Sequence, residues 1–229
     1  MVDTQRFQLG PGLIQVVGRA AGRLAQRHDR PVSPLEVTTY VPLDVDSVGR
    51  ILESLEEDYD ITRVQTDGLC HFRIDDADEL ATGAGDIDGG DHLRDHELFE
   101  SNLADLKSDE GWTRKVFEQH ELISIAAAAE SKNLEVAYFQ SRSDIPSSKI
   151  QSLLNDFDAE GYIGSNLEED GDSPSFRFPR LEYPNARRSR NMAILDETES
   201  DKRSNRIWLA LTVAVAVLLV FIILVRFYF

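Results

Sequence analysis

The chain has 229 residues, with 24 Lys+Arg against 41 Asp+Glu, a formal net charge of −17 and 41% hydrophobic residues. That apolar content, recurring in periodic blocks, excludes wholesale disorder. The sign of the charge excludes a basic nucleic-acid-coating protein, and a single cysteine, Cys70, excludes a disulfide-stapled secreted scaffold. The length suits one large domain or two small ones. The Asp-rich, Lys-poor balance fits either a high-salt cytoplasm or a GC-rich genome.

Residues 1–74 read as a first domain of net charge −3. Gly12–His28 predicts a helix with Leu13, Val16, Val17, Ala20 and Leu24 on one face. Ser33 suits an N-cap and Pro34 the first turn of a second helix running to Tyr40. A third helix starts at Asp44 or Asp46 and ends near Asp58. Ile61–Val64 and Leu69–Ile74 flank a Thr66-Asp67-Gly68 turn, a β-hairpin signature.

Residues 75–110 carry a net charge of −11 and are expected to form an acidic linker with an amphipathic helix from Asp91 onward, using Leu93, Leu98, Phe99, Leu103 and Leu106. Residues 111–182, net −6, read as a second domain. Trp112–Ser131 predicts its first helix, with Val116, Phe117, Ile123 and Ala127 inward. Leu134–Gln140 predicts the second, and Pro146–Glu160 the third, stopped by Gly161. Ile163 opens a strand, Glu168–Asp172 an acidic loop, and Ser175–Phe178 returns. Residues 183–206 read as a polar, net-positive tether.

Ile207 to Val225 is 19 residues without a charge, about 28 Å as a helix and close to the thickness of a bilayer core. Trp208, Phe227, Tyr228 and Phe229 suit the interfaces, and Arg226 can reach the headgroups. With no apolar segment after Met1, the expectation is a single-pass tail anchor in the cell membrane. Arg187, Arg188, Arg190, Lys202, Arg203 and Arg206 precede the span and only Arg226 follows it, which places the N-terminal domains in the cytoplasm.

The two domains share a pattern. Leu35-Glu36-Val37 recurs as Leu134-Glu135-Val136, and Leu43, Val48, Ile51, Leu52, Leu55 and Ile61 match Ile145, Ile150, Leu153, Leu154, Phe157 and Ile163. The stretch DIPSSKIQSLLNDFDAEGYI resembles the recognition helix and wing entry of the winged helix-turn-helix superfamily, and block one resembles it more weakly. The resemblance implies two winged-helix domains; with the apolar C-terminal segment, the expected fold is α+β, mainly helical: two winged-helix domains plus one C-terminal transmembrane helix. SLEEDYDITRVQTDGLCHFRI is also similar to the first repeat of the segregation-and-condensation B protein, a tandem winged-helix family without a membrane tail.

DNA-binding winged helices place the third helix in the major groove and the wing on phosphate. On that resemblance the DNA-binding candidates are Arg142, Ser147, Ser148, Lys149, Gln151 and Ser152 in block two, and Arg63 and Arg73 in the wing of block one. The third helix of block one and its flanks carry seven carboxylates, from Asp44 to Asp60, against Arg50 alone. Those carboxylates repel a polyanion. The reading is therefore a non-enzymatic, membrane-anchored regulatory adaptor that docks a cytoplasmic protein partner. The alternative is a membrane-tethered DNA-binding protein, for transcription or chromosome organisation, acting through block two.

No P-loop, GxSxG, HExxH, CxxC or GxGxxG motif occurs. His92 and His96 sit four apart with metal-sharing helical spacing, but no third ligand is evident, and a solvated acidic face is the reading preferred. Asp86, Asp88 and Glu97 match three positions of a calcium loop that lacks its glycine. No metal, cofactor or small-molecule substrate is expected. His28, His71 and His120 read as structural or exposed, and Cys70 as a small apolar packer. A chain lacking 207–229 is expected to move from the membrane fraction to the supernatant; retention in the membrane would show the anchor to be misassigned.

Overall fold

A computed structural model describes residues 10–94, 97–166 and 174–196. The fold is mixed α+β. The chain divides into two compact units, residues 1–192 and 193–229. Of the second, residues 193–196 are described, and they are helical. The expected anchor, 207–225, and its flanks Lys202, Arg203, Arg206, Trp208 and Arg226 lie outside the described residues. Among those described, no helix is long and apolar enough to cross a membrane.

The first assembly follows the chain order expected. Helix α1 spans Pro11–His28 and ends on Asp29, whose left-handed φ of 48° returns its N–H to Ala25 O. Helix α2 spans Pro34–Thr38, with the Ser33 hydroxyl accepting from Glu36 N at 3.1 Å. Helix α3 spans Val45–Ser54, capped by Asp44, and runs into a 3₁₀ turn at Leu55–Glu57. Strands β1 (Ile61–Thr66) and β2 (Leu69–Ile74) pair antiparallel from Ile61↔Ile74 to Thr66↔Leu69. Asp67 and Gly68 both take positive φ, 54° and 75°, as a tight turn matched to strand twist requires. Val32 bridges to Phe72 as a third, one-residue edge of this sheet.

Residues 77–107 pack on α1. Helices α4 (Ala77–Leu80), α5 (Asp91–Arg94) and α6 (Glu97–Lys107) bury Leu80, Ala81, Ala84, Ile87, Leu93, Phe99, Leu103 and Leu106. The approach depends on glycines of α1. A Cβ on Gly12 would lie 2.6 Å from the Leu98 carbonyl carbon, and one on Gly22 2.8 Å from Ala81 N. Leu98, expected on the buried face, is instead exposed, because α6 turns its backbone there toward Gly12.

The second assembly repeats the order helix, strand, helix, helix, hairpin. Helix α7 spans Glu110–Ala127, with Asp109 accepting from Gly111 N. Its buried face uses Val116, Gln119, His120, Leu122, Ile123 and Ala126, while Phe117 and Ala127 are half-buried. The expected helix from Leu134 is corrected: β3 is Asn133–Glu135, and α8 begins only at Val136 and ends at Gln140. Leu134 pairs with Phe176, and this alternation of one buried residue between two exposed ones suits a strand. Helix α9 spans Ser147–Ala159, and Gly161 turns the chain at φ 74°. Strands β4 (Gly164–Asn166) and β5 (Ser175–Arg177) complete a sheet of order β3-β5-β4. The expected acidic loop, Glu168–Asp172, lies outside the described residues.

The tether expected from 183 does not hold for 183–192. Residues 185–192 are helical (α10), and Tyr183, Arg187 and Asn191 are buried. They dock on the turn after α2. Asn191 donates to Thr39 O at 3.0 Å, and Arg190 to Tyr40 O at 2.9 Å. Arg187 lies 3.6 Å over the Tyr40 ring and pairs with Asp88 at 2.5 Å, while Arg27 reaches the other Asp88 oxygen at 2.9 Å. Those two guanidiniums hold the Asp88 carboxyl below its ordinary range, against the opposing push of burial.

Two histidines serve the same turn. His92 is fully buried rather than on a solvated face, and its Nε2–H donates to Tyr40 O at 2.9 Å. His120 donates from Nε2 to Leu43 O at 2.9 Å and accepts the Tyr183 hydroxyl on Nδ1 at 2.7 Å. Burial lowers both to about 4, with nearby arginines adding to the effect, so both are neutral at pH 7. The unfolded chain takes up these protons near pH 6.5, whereas the folded one resists until about 4. Stability is therefore full above pH 6.5 and falls as pH drops toward 4, by about 3 kcal/mol per histidine. Denaturant melts between pH 7 and 4 should show this slope, and His92→Gln or His120→Gln should flatten it; an unchanged slope in both variants would contradict the assignment.

Candidate functional site

The two third helices, α3 and α9, are the surfaces on which recognition was expected, and they differ in access. The start of α3 is occupied. Asp44 accepts from Ser47 N at 3.0 Å as the cap and from Trp112 Nε1 of α7 at 2.7 Å. Val45 N, one of the donors a helix start leaves without an intrahelical partner, goes to Gln119 Oε1 at 2.9 Å. Asp46 holds Lys115 Nζ at 2.5 Å. Burial pulls the Lys115 ammonium down, but the hydrogen bond and charge of Asp46 outweigh it and leave the pKa raised. Further along, Tyr162 packs against Gly49, where a Cβ would lie 2.0 Å from the Tyr162 hydroxyl. That close approach admits only glycine on α3 without a shift. The acidic helix of block one therefore turns its first turn toward the second assembly.

The hairpin of block one is tied to the second assembly as well. Cys70 N donates to Gly161 O at 2.7 Å. Arg63 donates from Nε to Cys70 Sγ at 3.1 Å, from Nη1 to Glu53 at 2.8 Å and from Nη2 to Glu160 O at 3.2 Å. Burial pushes the Cys70 thiol up, so it stays protonated. Arg73 pairs with Asp75 at 3.4 Å on the open side of the hairpin. Arg63 is thus spent on internal contacts, and Arg73 is partly neutralised.

Helix α9 is open at its start. Ser147, Ser148 and Ser152 are exposed, and Lys149 and Gln151 are half-buried. Lys149 lies 3.7 Å from Glu118, and Gln151 donates to Asn155 at 2.8 Å. Arg142 stacks 3.8 Å over the Tyr138 ring and donates to Tyr138 O and Ser141 Oγ. The structure brings Arg142 and the α9 residues to one end of the second assembly, with Arg63 and Arg73 on the first. The contacts that sequence reasoning missed are Trp112, Lys115 and Gln119, which lie at i, i+3 and i+7 on α7, a face readable in retrospect as a polar docking stripe.

The calcium-loop and histidine readings have no geometric support. Asp88 is held by two arginines, His92 is buried on a carbonyl, and His96 lies outside the described residues. Among the described residues no group of three or more metal-capable side chains converges.

Gly49→Ala should cost about 1–3 kcal/mol in denaturant unfolding, as overpacking does. Tyr162→Phe in the same chain should recover part of it, because the nearest atom is the hydroxyl. A neutral Gly49→Ala would contradict the seating of α3 against the second assembly. Comparison with protein-family models, curated proteins and solved structures returns no match, so the function is read from this geometry.

Proposed function

We propose that the chain is a non-enzymatic, tandem winged-helix regulatory adaptor. On this reading it is anchored in the cell membrane by residues 207–225 with its folded part in the cytoplasm, and it docks a protein partner. The order of three helices and a hairpin in both assemblies, with β3 pairing to the hairpin in the second and the single Val32–Phe72 bridge in its place in the first, supports the winged-helix reading. The observation that carries the adaptor reading is the occupied start of α3. Trp112, Lys115 and Gln119 engage the Asp44 cap, the Asp46 carboxylate and the Val45 backbone donor, so the polar groups of that turn are already used within the chain. The arginine of the adjoining hairpin, Arg63, is committed to Cys70, Glu53 and Glu160.

The second reading is a membrane-tethered DNA binder, favoured by the exposed Ser147, Ser148 and Ser152 at the start of α9. Against it, Lys149 faces Glu118, and Asp156 and Glu160 follow on the same helix surface. Of the six basic residues expected to flank the membrane span, Arg187 is buried against Tyr40 and Asp88, Arg188 pairs with Glu121 and Arg190 donates to Tyr40 O, so these three act within the fold.

The full chain in detergent micelles, titrated with random and genomic duplex DNA over several salt concentrations, is expected to show no salt-sensitive binding below about 10 µM. Sub-micromolar binding with a steep salt dependence, abolished by Lys149→Glu, would overturn the adaptor reading and establish the second.

A further inference from the structure

The hairpin of block one and the sheet of block two enclose a cleft of about 230 Å³. Its rim carries Arg30, Lys132, Arg177 and Arg180 against a single acid, Asp67. In a chain of net charge −17, this local reversal of sign is the feature to explain. Arg30 is neutralised by a two-pronged contact to Glu36, at 2.8 and 3.1 Å, and Arg180 lies 3.6 Å from Glu182. Lys132 and Arg177 have no carboxylate partner among the described residues. The Arg177 guanidinium donates from Nη2 to the Asp67 carbonyl, while its Nε–H is buried without a hydrogen-bond partner. The floor is apolar: Pro31, Leu69, Phe178 and Pro179.

The backbone fixes these groups. Lys132 O accepts from Phe178 N at 2.9 Å, which sets Lys132 at the head of β3 beside β5. Arg177 pairs with Asn133 across the β3–β5 ladder and reaches the Asp67-Gly68 turn of the other sheet. The cleft is therefore composite, made by the packing of one assembly on the other.

We propose that this cleft is a docking site for a short acidic peptide of a partner protein, with carboxylates on Lys132, Arg177 and Arg180 and an adjoining apolar side chain on the Leu69–Phe178 floor. The proposal rests on the adaptor reading and names the chemistry of its partner. Charge decides between peptide and nucleic acid. A duplex carries one charge per about 1.7 Å of axis and extends past the cleft over a strongly acidic body, where repulsion reaches about 8 Å at physiological salt. A peptide of a few residues confines its charge to the basic rim.

The test is fluorescence polarisation of the full chain in micelles with a labelled EELEEL peptide, its QQLQQL counterpart and a short duplex DNA. The acidic peptide should bind saturably and weaken with salt. The Lys132→Glu/Arg180→Glu chain should lose at least about ten-fold in affinity. Both side chains are exposed, so the fold should hold, and an unchanged melt confirms it. Arg114→Glu, on an exposed face of α7, should bind as the parent does. Absent saturation, equal binding of the glutamine peptide, an unaffected double variant, or displacement of the peptide by duplex DNA each overturns the proposal. Duplex binding lost on Lys149→Glu with the peptide result intact removes the adaptor reading alone, whereas failure of the peptide with no duplex binding removes only the cleft.

Discussion

The structure depends on the need to pair the buried carbonyls between Thr39 and Leu43. Helix α2 ends at Thr38, and the turn that follows is buried, so its C=O groups lose both helix and water as partners. They are met by side chains from three distant places. Asn191 serves Thr39 and Val41, His92 and Arg190 share Tyr40, and His120 takes Leu43. One five-residue turn thereby joins the first assembly, the acidic segment, the second assembly and α10. Burial outweighs the upward pull of these carbonyl hydrogen bonds, so both histidines remain uncharged there.

That hub also constrains the recognition surfaces. With His120 pinned to Leu43, α7 lies along the turn leading into α3, and Trp112, Lys115 and Gln119 meet Asp44, Asp46 and Val45 N. The hairpin of block one is then held beside β5, and the Arg177 contact to Asp67 spans the two sheets. Occupation of α3 and formation of the basic cleft follow from the same packing. The acid-rich surface of α3 becomes understandable as a face that meets lysine and tryptophan from its own chain.

Local chemistry was readable in the sequence wherever a side chain acts on its own backbone. Ser33, the Asp67-Gly68 turn and Gly161 each act within a few residues and are where the sequence placed them, and Asp44 is the cap of the two candidates the sequence offered. The strand at Leu134 was not readable, because its partner Phe176 lies far along the chain and a three-residue run has no period of its own. The docking of 183–192 was hidden by composition: Asn, Arg and Tyr read as polar tether residues, yet Asn191 and Arg190 donate to carbonyls of the buried turn and the Tyr183 hydroxyl to His120 Nδ1. The glycines of α1 gave no signal either, since their role is set by backbones they approach from elsewhere. For the candidate site, the residue types at the start of α9 were legible. That α3 would be covered was not, because the covering residues sit 68–74 positions away.

The separation of Asn191 and Arg190 from the turn they serve, 150–152 residues, has a temporal consequence. At roughly 5–20 residues per second, a ribosome that has made Tyr40 needs about 8–30 s more to make Arg190. Through that interval the nascent first assembly holds unmatched carbonyls at its surface, exposed to water or to a chaperone. Completion of the fold thereby waits for residues 190 and 191, and long-range closure of this kind slows that step relative to the local helices and hairpin.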